Sequence, residues 1–209
     1  MWPDSEETQK LLQSAGEGDP QAINHLMERH RQSLRRMVQL RLDRALAGRV
    51  DASDVVQDVL IEANTRLDDF VRDGSMPFHL WLRQLAKDRI IDMHRRHRGA
   101  QRRSVDREEP MVAGANLDRS AFDRIAGLED PELTPAAASI RRELESRFLN
   151  ALDQLQEDDR EIVMMRHYEH LSNSDVATTL GLSPAAAGMR YLRALRKLRS
   201  VLGEQASGA

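Results

Sequence analysis

The sequence of 209 residues contains no cysteine, which excludes a disulfide framework and any metal site built on thiolates. Aromatic residues make up only 4% of the chain, and no apolar run reaches the length of a membrane span. The first residues, MWPDSEETQK, lack the basic region and the apolar run of a signal peptide. We therefore expect a cytoplasmic protein that is not inserted in a membrane.

The motifs of common enzyme classes are also missing. The sequence has no glycine-rich phosphate loop after a strand and no nucleophile elbow. His94 and His97, with Asp92 nearby, have a spacing that suits metal binding on a helix, but a third ligand is lacking. We expect a protein without catalytic activity, without a cofactor and without a bound metal.

Charged residues make up 31% of the chain, and the two signs are segregated along it although the net charge is only −3. Basic residues concentrate in 83–107 and 190–199, whereas acidic residues dominate 51–73 and 157–161. Basic patches of this kind bind nucleic acid, and acidic surface between them favours a protein partner. The pattern indicates two DNA contacts and at least one protein contact.

The apolar residues recur at helical spacings of three and four, and no segment alternates with the period of a strand. One predicted helix begins at Asp19 and Pro20, a second runs from near Ser53 to Phe70, and a third runs from Phe78 to Arg96 or beyond. Glycine and proline interrupt the pattern between 99 and 138. We predict an all-α fold of two small helical domains, 1–98 and 139–203, with a flexible linker, 99–138, and a tail, 204–209.

Residues 171–202 have the pattern of two short helices joined by a tight turn. Ser172 is placed to cap the first helix and Gly181 to end it, while Ser183 and Pro184 begin the second helix. We expect four leucines of the second helix to point inward and five basic residues outward: Leu192, Leu195, Leu198 and Leu202, and Arg190, Arg193, Arg196, Lys197 and Arg199. This pattern is typical of a helix-turn-helix that enters the DNA major groove, with an α-hairpin that has a solvated basic face as the alternative.

Acidic residues follow one another at intervals of four on the helix predicted from Ser53. They are Asp54, Asp58 and Glu62. Like charges at this spacing cost a helix about 0.2–0.5 kcal/mol per pair. An acidic face of this kind favours docking on a basic partner, and a merely solvated face is the alternative.

The helix predicted after Pro77 combines apolar positions with basic residues. One aromatic and five basic residues are expected on its exposed side: Trp81, Lys87, Arg89, Arg95, Arg96 and Arg98. An aromatic ring among basic groups suits unpaired DNA, since stacking and phosphate neutralisation both tolerate many sequences. The alternative is that Trp81 belongs to the core.

Three segments, in this order, resemble those of the extracytoplasmic-function (ECF) sigma factors of the sigma-70 family. Residues 51–70 resemble the helix that binds core RNA polymerase at the clamp of its largest subunit. Residues 76–103 resemble the segment that melts and recognises the −10 promoter element, and residues 152–199 resemble the domain that recognises the −35 element. A single helix-turn-helix is only weak evidence for this family, because the motif is common, whereas the three segments in this order are strong evidence for it.

The resemblance implies roles for particular residues. Core polymerase would be bound by Asp54, Val55, Gln57, Asp58, Ile61 and Glu62. The −10 element, with one base flipped out of the non-template strand, would be bound by Asp73, Ser75, Met76, His79, Trp81, Lys87, Asp92, Arg95, Arg96 and Arg98. The −35 element would be bound by Ser183, Ala185, Ala186, Gly188, Met189, Arg190, Arg193 and Lys197.

The front of the second helix of the helix-turn-helix departs from the family, whose members often have Thr, Lys or Ser there. This chain has small side chains from Ala185 to Gly188, which form few hydrogen bonds with bases. Direct recognition would therefore depend on Arg190 and Arg193, with thymine methyl contacts and DNA shape in addition. Gly188 lowers the stability of a helix by about 1 kcal/mol relative to alanine. A close approach of the backbone to DNA or to a neighbouring helix would explain a glycine at this position.

The resemblance implies core RNA polymerase and promoter DNA, both double-stranded and single-stranded, as partners. An anti-sigma factor is the family's common restraint, although phosphorylation or transcriptional control fits these residues equally well. Two other functions are compatible with the same patterns. One is a stand-alone helix-turn-helix regulator that binds duplex DNA without polymerase, and the other is an adaptor that binds a protein through its acidic helix without touching DNA.

Overall fold

The structure is a computed structural model that describes residues 2–3, 5–42, 50–104, 143 and 147–207, with the backbone alone for 97–104 and 204–207. Helices and their connecting turns account for these ranges, and no strand occurs in them. None of the helices in the described ranges is both long enough and apolar enough to cross a membrane. The chain forms two compact units, Met1–Ala113 and Gly114–Ala209, and their division falls inside the segment predicted as a linker.

The N-terminal unit contains five helices in the described part of the chain. They are α1 (Ser5–Gly16), α2 (Pro20–Arg41), α3 (Ala52–Thr65), α4 (Leu67–Asp73) and α5 (Phe78–Ser104). The starts of α2 and α3 follow from capping, because the Asp19 carboxylate accepts a hydrogen bond from the Gln21 N–H at 2.9 Å and the Asp51 carboxylate accepts one from the Ser53 N–H at 2.7 Å.

One core joins these five helices. The fully buried residues lie at helical spacings on α2, α3 and α5, among them Leu26, Leu34, Val38, Val55, Val59, Leu82 and Ala86. Each buried leucine or valine stabilises the fold by about 1.5–3 kcal/mol relative to exposure. The acidic face of α3 and the basic side of α5 are thus parts of one packed body.

The predicted helix from Ser53 to Phe70 is broken at Arg66, where α3 ends and α4 begins. The Thr65 hydroxyl donates to the Ile61 carbonyl at 3.0 Å, a local bond that competes with the helical pattern and bends helices. Arg66 has φ −103° and ψ 8°, outside the helical range. The left-handed conformation of Gly74, with φ 56°, ends α4.

The C-terminal unit contains a helix at 147–153, α6, followed by α7 (Glu157–His167), α8 (Asn173–Leu180) and α9 (Pro184–Ser207). Apolar residues from all four helices are buried together, among them Leu152, Ile162, Met165, Val176, Ala194 and Leu198. The predicted caps of α8 are confirmed: Ser172 and Asp175 form a reciprocal capping box, and Gly181 ends the helix at φ 63°. Helices α8 and α9 form the predicted helix-turn-helix.

Two helices extend into the segments predicted as linker and tail. Helix α5 continues through Gly99 to Ser104, because the residues after this glycine are good helix formers and supply no stop signal. Helix α9 continues to Ser207, through most of the predicted tail, 204–209. Residues 105–138 of the predicted linker lie outside the described residues.

Candidate nucleic-acid and protein interfaces

The start of α9 presents small side chains on an exposed surface. The Ser183 hydroxyl caps the helix by accepting a hydrogen bond from the Ala186 N–H at 3.2 Å. The Asn173 side chain donates to the Pro184 carbonyl at 2.8 Å, which fixes the turn before the helix. Ala185 and Ala186 are exposed, as the sequence predicts for a helix front that faces a partner.

Gly188 and Met189 follow on the same helix. A Cβ atom at Gly188 would lie 3.7 Å from Asn173 Oδ1, which is an ordinary van der Waals contact. Packing against α8 therefore does not require glycine at this position. The side chain of Met189 is 55% exposed and adds apolar surface beside the two alanines.

The basic residues of α9 divide into two groups. Arg193 is exposed, as predicted. The guanidinium of Arg190 instead forms an ion pair with Asp158, and the Lys197 ammonium donates to Asp159 at 2.5 Å. Both carboxylates belong to the first turn of α7, which sequence analysis did not connect with α9.

The predicted inward position of Leu192 is wrong, because this side chain is 46% exposed. Ala187, Ala194 and Leu198 are buried and define the inward face of α9. Leu192 precedes Ala194 by two residues, which is about 200° of helix rotation and places it on the opposite face. The outward surface of α9 therefore combines basic groups with Met189 and Leu192.

Further contacts hold α7 and α9 together next to Arg190. The Tyr191 hydroxyl and His167 Nε2 form a hydrogen bond of 2.7 Å, and the Arg166 guanidinium lies 5.6 Å from the centre of the Tyr191 ring. The same guanidinium donates to the Leu171 carbonyl at 2.6 Å. These contacts fix the position of α9 relative to the acidic start of α7.

The acidic face of α3 is exposed at most of the predicted positions. Ile61 is 56% exposed, and Asp54, Gln57 and Asp58 are exposed as well. Val55 is an exception: it is only 1% exposed, so its side chain lies in the core and not on this surface. The helical period places it on the core face, one residue after Asp54.

The polar residues of this face contact basic groups of the same unit. Asp58 forms an ion pair with Arg89 of α5, and Glu62 forms one with Arg66 at 2.9 Å. Gln57 Oε1 accepts a hydrogen bond from Arg31 Nη1 at 3.3 Å. Exposed pairs of this kind are worth about 0–1 kcal/mol, so a partner with a denser positive charge can replace them.

The loop between α4 and α5 lies at the surface of the N-terminal unit. The Ser75 hydroxyl donates to Asp73 Oδ2 at 2.5 Å. Met76 is half-buried and packs against the core, whereas the half-buried His79 ring lies 5.8 Å from the Trp2 ring. The four predicted loop residues are therefore close in the chain but differ in exposure.

The prediction that Trp81 lies on the exposed side of α5 is wrong. Its side chain is 9% exposed and stacks on Phe70 at 4.5 Å between ring centres. Phe78, which is also buried, lies 5.6 Å away. Stacking between aromatic rings and apolar burial outweigh contact with solvent at this position.

The remaining predicted residues of α5 are mostly exposed. Lys87, Asp92, Arg95 and Arg96 are exposed, and Asp92 lies 3.7 Å from Arg95 in an i,i+3 ion pair. Arg89 is half-buried, and the side chain of Arg98 lies outside the described residues. Exposed basic groups thus continue along α5 after its buried aromatic start.

A buried histidine, which sequence analysis did not single out, lies beneath α1. The Nε2 atom of His30 is 3.2 Å from the Thr8 hydroxyl, and its ring packs edge-on against Phe78 at 5.0 Å. Burial, with the nearby charges of His79 and Arg29, lowers the pKa of His30 to about 4. No cluster of three or more potential metal ligands was found among the residues that the structure describes.

Family models match both units of the chain. The model for Sigma-70 region 2 matches residues 26–100, and the model for Sigma-70, region 4 matches residues 145–198. The two matched ranges together cover more than half of the sequence. The chain belongs to the sigma-70 family. Region 2 comprises most of the five-helix unit, and region 4 comprises α6, α7 and the helix-turn-helix.

Curated relatives of similar length are sigma factors. The chain is 28% identical over 203 residues to "RNA polymerase sigma factor NccH" of Alcaligenes xylosoxydans xylosoxydans, with 92% of each chain covered. It is 25% identical over 186 residues to "ECF RNA polymerase sigma-E factor" of Haemophilus influenzae, with 89% of this chain and 90% of the relative covered. The chain is an RNA polymerase sigma factor of the ECF type.

A solved structure has the same fold. "Structure of CnrH in complex with the cytosolic domain of CnrY" matches with a TM-score of 0.58 at 23% identity, and covers 95% of this chain and 98% of that chain. Family membership supports the sigma-factor interpretation over a stand-alone helix-turn-helix regulator. It also supports promoter binding and so disfavours an adaptor that never touches DNA.

Proposed function

We propose that this sigma factor divides its tasks among three surfaces. Helix α3 binds core RNA polymerase, the α4–α5 loop with the exposed side of α5 binds the −10 element, and the outward face of α9 binds the −35 element. The observation that carries this proposal is the separation of charge. Helix α3 carries three acidic residues and no basic one, whereas exposed basic groups concentrate on α5 and α9.

The polymerase surface consists of Asp54, Gln57, Asp58, Ile61 and Glu62. An exposed isoleucine among carboxylates supplies apolar area at the centre of a polar patch, which is the usual composition of an interface. Val55 supports this surface from the core. We propose that a basic surface of the polymerase clamp replaces the weak ion pairs that Asp58 and Glu62 form within the unit.

The −10 surface combines a loop with a basic helix side. We propose that the residues around Gly74 receive one flipped base of the non-template strand, namely Asp73, Ser75, Met76 and His79. Lys87, Arg95 and Arg96 then neutralise phosphates of the same strand, and we assign Asp92 and Arg98 to the same surface. Trp81 acts indirectly, because it stiffens the start of α5 behind this loop.

The −35 surface is the front of α9. We propose that Ala185, Ala186 and Met189 contact thymine methyl groups, while Arg190 and Arg193 donate to base edges. Ser183 lies at the cap, where it can donate to a phosphate, and Gly188 lets the helix backbone approach DNA. Lys197 has a structural role through Asp159 and contributes positive charge near the backbone of the DNA.

We further propose that the chain acts in the cytoplasm, has no catalytic activity of its own and is restrained by an anti-sigma protein. Five exposed apolar residues lie on or beside the proposed polymerase and DNA surfaces, where a covering protein would bury them: Ile61, Val71, Ile91, Met189 and Leu192. Co-purification of the chain from its native cells, followed by identification of a stoichiometric partner other than polymerase, tests this restraint.

The experiment that tests the main proposal is binding of the purified full chain to bacterial core RNA polymerase, followed by run-off transcription. Asp54→Lys combined with Asp58→Lys should abolish polymerase binding without loss of helicity. Asp68→Lys combined with Asp69→Lys is the matched control, because it makes the same change in charge on α4 and also breaks one ion pair, that of Asp69 with Arg72. Polymerase binding that survives the α3 substitutions contradicts the assignment of this surface.

A further inference from the structure

At the front of α9, few side chains can form hydrogen bonds with bases. The residues that precede Arg190 on the exposed front are alanines, a glycine and a methionine, which donate no side-chain hydrogen bonds to base edges. Sequence discrimination by hydrogen bonds therefore depends on the orientation of two long side chains, Arg190 and Arg193, of which Arg190 lies nearer the start of the helix. An unrestrained arginine samples many rotamers, and fixing one of them on binding DNA costs conformational entropy.

Asp158 restricts this side chain. Its Oδ2 accepts a hydrogen bond from Arg190 Nη2. The side chain of Arg190 is 27% exposed and that of Asp158 is 74% exposed, so the guanidinium lies against the protein while the carboxylate remains in solvent. Asp158 lies in the first turn of α7.

The position of Asp158 relative to α9 is itself fixed. The neighbouring carboxylate, Asp159, is 10% exposed at its side chain and accepts from Lys197, which lies seven residues, or about two turns, after Arg190. The Tyr191–His167 hydrogen bond joins the same two helices at the next residue of α9. Asp158 is thus held by the fold rather than by its pair with Arg190.

Arg190 has enough N–H donors to pair with Asp158 and to contact a base at the same time. A guanidinium has five N–H donors, and the pair with Asp158 uses one of the two on Nη2. The other Nη2 donor and those on Nη1 remain for a bidentate contact with O6 and N7 of a guanine. Asp158 can therefore orient the Arg190 guanidinium and still leave enough of its N–H donors for a base.

We propose that Asp158 is a specificity-determining positioning residue, which holds the Arg190 guanidinium in the orientation that recognises a guanine in the −35 element. This inference rests on the proposed −35 function of α9. The opposite role, in which Asp158 masks a cation of the DNA surface, predicts tighter binding to every sequence when the carboxylate is removed.

The test is selection of promoters by the reconstituted holoenzyme from a duplex library with a randomised −35 region. We expect wild-type protein to enrich a guanine at one position and Arg190→Ala to lose that preference. Asp158→Asn, which keeps the size but removes the charge, should reduce enrichment of the same guanine by about tenfold, as expected for a bidentate contact that loses its geometry. Preferences at the other positions should stay unchanged.

Glu157→Gln is the matched control, because it removes the same charge from the same helix turn, one residue before Asp158. It should keep the wild-type preference. The proposal is overturned if Asp158→Asn keeps the guanine preference, if it changes enrichment equally at all positions, or if Arg190→Ala keeps the preference. If the wild-type holoenzyme binds but enriches no −35 sequence, the proposed function of α9 fails instead, and the role of Asp158 fails with it.

Discussion

Replacement of Trp81 tests whether this ring stabilises the core or contacts promoter DNA. The ring is 9% exposed and lies 4.5 Å from Phe70 and 5.6 Å from Phe78. Truncation of a buried aromatic side chain to alanine costs about 3–5 kcal/mol, because lost burial and the remaining cavity both contribute. Trp81→Ala should therefore remove about 4 kcal/mol from the free energy of unfolding of the N-terminal unit. Trp81→Phe, which keeps a ring, should remove about 1–2 kcal/mol.

The second tryptophan of the chain provides the assay. Both variants retain only Trp2, whose ring lies 6.2 Å from that of His30 in the same unit. Its fluorescence in urea reports unfolding of this unit with the same probe in each variant. With an m-value of about 2 kcal/mol per M, a difference of about 2–3 kcal/mol moves the urea midpoint by about 1–1.5 M. Lys87→Ala in the Trp81→Phe background is the control for an exposed position, and should change stability by less than about 0.5 kcal/mol.

A different pattern would refute the placement of Trp81 in the core. In that pattern, Trp81→Ala and Trp81→Phe have equal urea midpoints, but only the phenylalanine variant opens promoter DNA. Promoter opening is measured by permanganate oxidation of unpaired thymines, at a temperature where both variants are folded. Retained opening by folded Trp81→Ala agrees with a structural role.

Three further predictions concern other buried or constrained groups. Because the pKa of His30 is about 4 in the folded chain, against 6.5 for an unperturbed histidine, the unfolded state binds this proton first as the pH falls. Stability should therefore decrease by about 2 kcal/mol between pH 7.5 and pH 5 relative to a His30→Asn variant, as measured by urea unfolding at each pH; equal pH profiles would contradict this. Gly188→Ala should raise the stability of the C-terminal unit by about 0.5–1 kcal/mol in thermal unfolding and lower −35-dependent transcription, whereas a decrease in stability would reveal a clash with α8. Asp159→Ala should lower the free energy of unfolding of the C-terminal unit by about 1–2 kcal/mol, whereas Asp158→Ala should lower it by less than about 1 kcal/mol, since only the Asp159 carboxylate is buried. Equal losses in thermal unfolding would argue against this difference.

Much of the helical framework could be predicted from local signals. Capping residues and left-handed glycines act within one turn of the chain, so Asp19, Ser172 and Gly181 were sufficient to place the start of α2 and both ends of α8. Helix α1 was not predicted, although Thr8, Leu11, Leu12 and Ala15 follow a helical spacing. The break at Arg66 was missed since it depends on a side-chain bond from Thr65 rather than on a proline or glycine.

The candidate surfaces could be predicted only in outline. Charge segregation indicated the acidic α3 and the basic α5 and α9, but the side of a helix on which Val55, Trp81 or Leu192 lies depends on tertiary packing. The ion pair between Arg190 and Asp158 joins residues 32 positions apart, and that between Lys197 and Asp159 joins residues 38 apart. Pairs at such separations follow from the crossing of α7 and α9, which no local pattern determines.

The length of α5 has a consequence for how accurately this sigma factor must dock. Its 27 residues correspond to about 40 Å, and it shares one core with α3. Asp58 of α3 pairs with Arg89, so the far end of α5 lies 15 residues, or about 22 Å, beyond this contact. A rotation of the unit by about 9° at α3 would displace that end by about 3.5 Å, which is close to the rise of one nucleotide. If α3 binds polymerase and α5 binds the DNA strand as proposed, angular errors at the polymerase contact become a shift of register on that strand. The α3 surface would then set the alignment of the promoter as well as the strength of attachment.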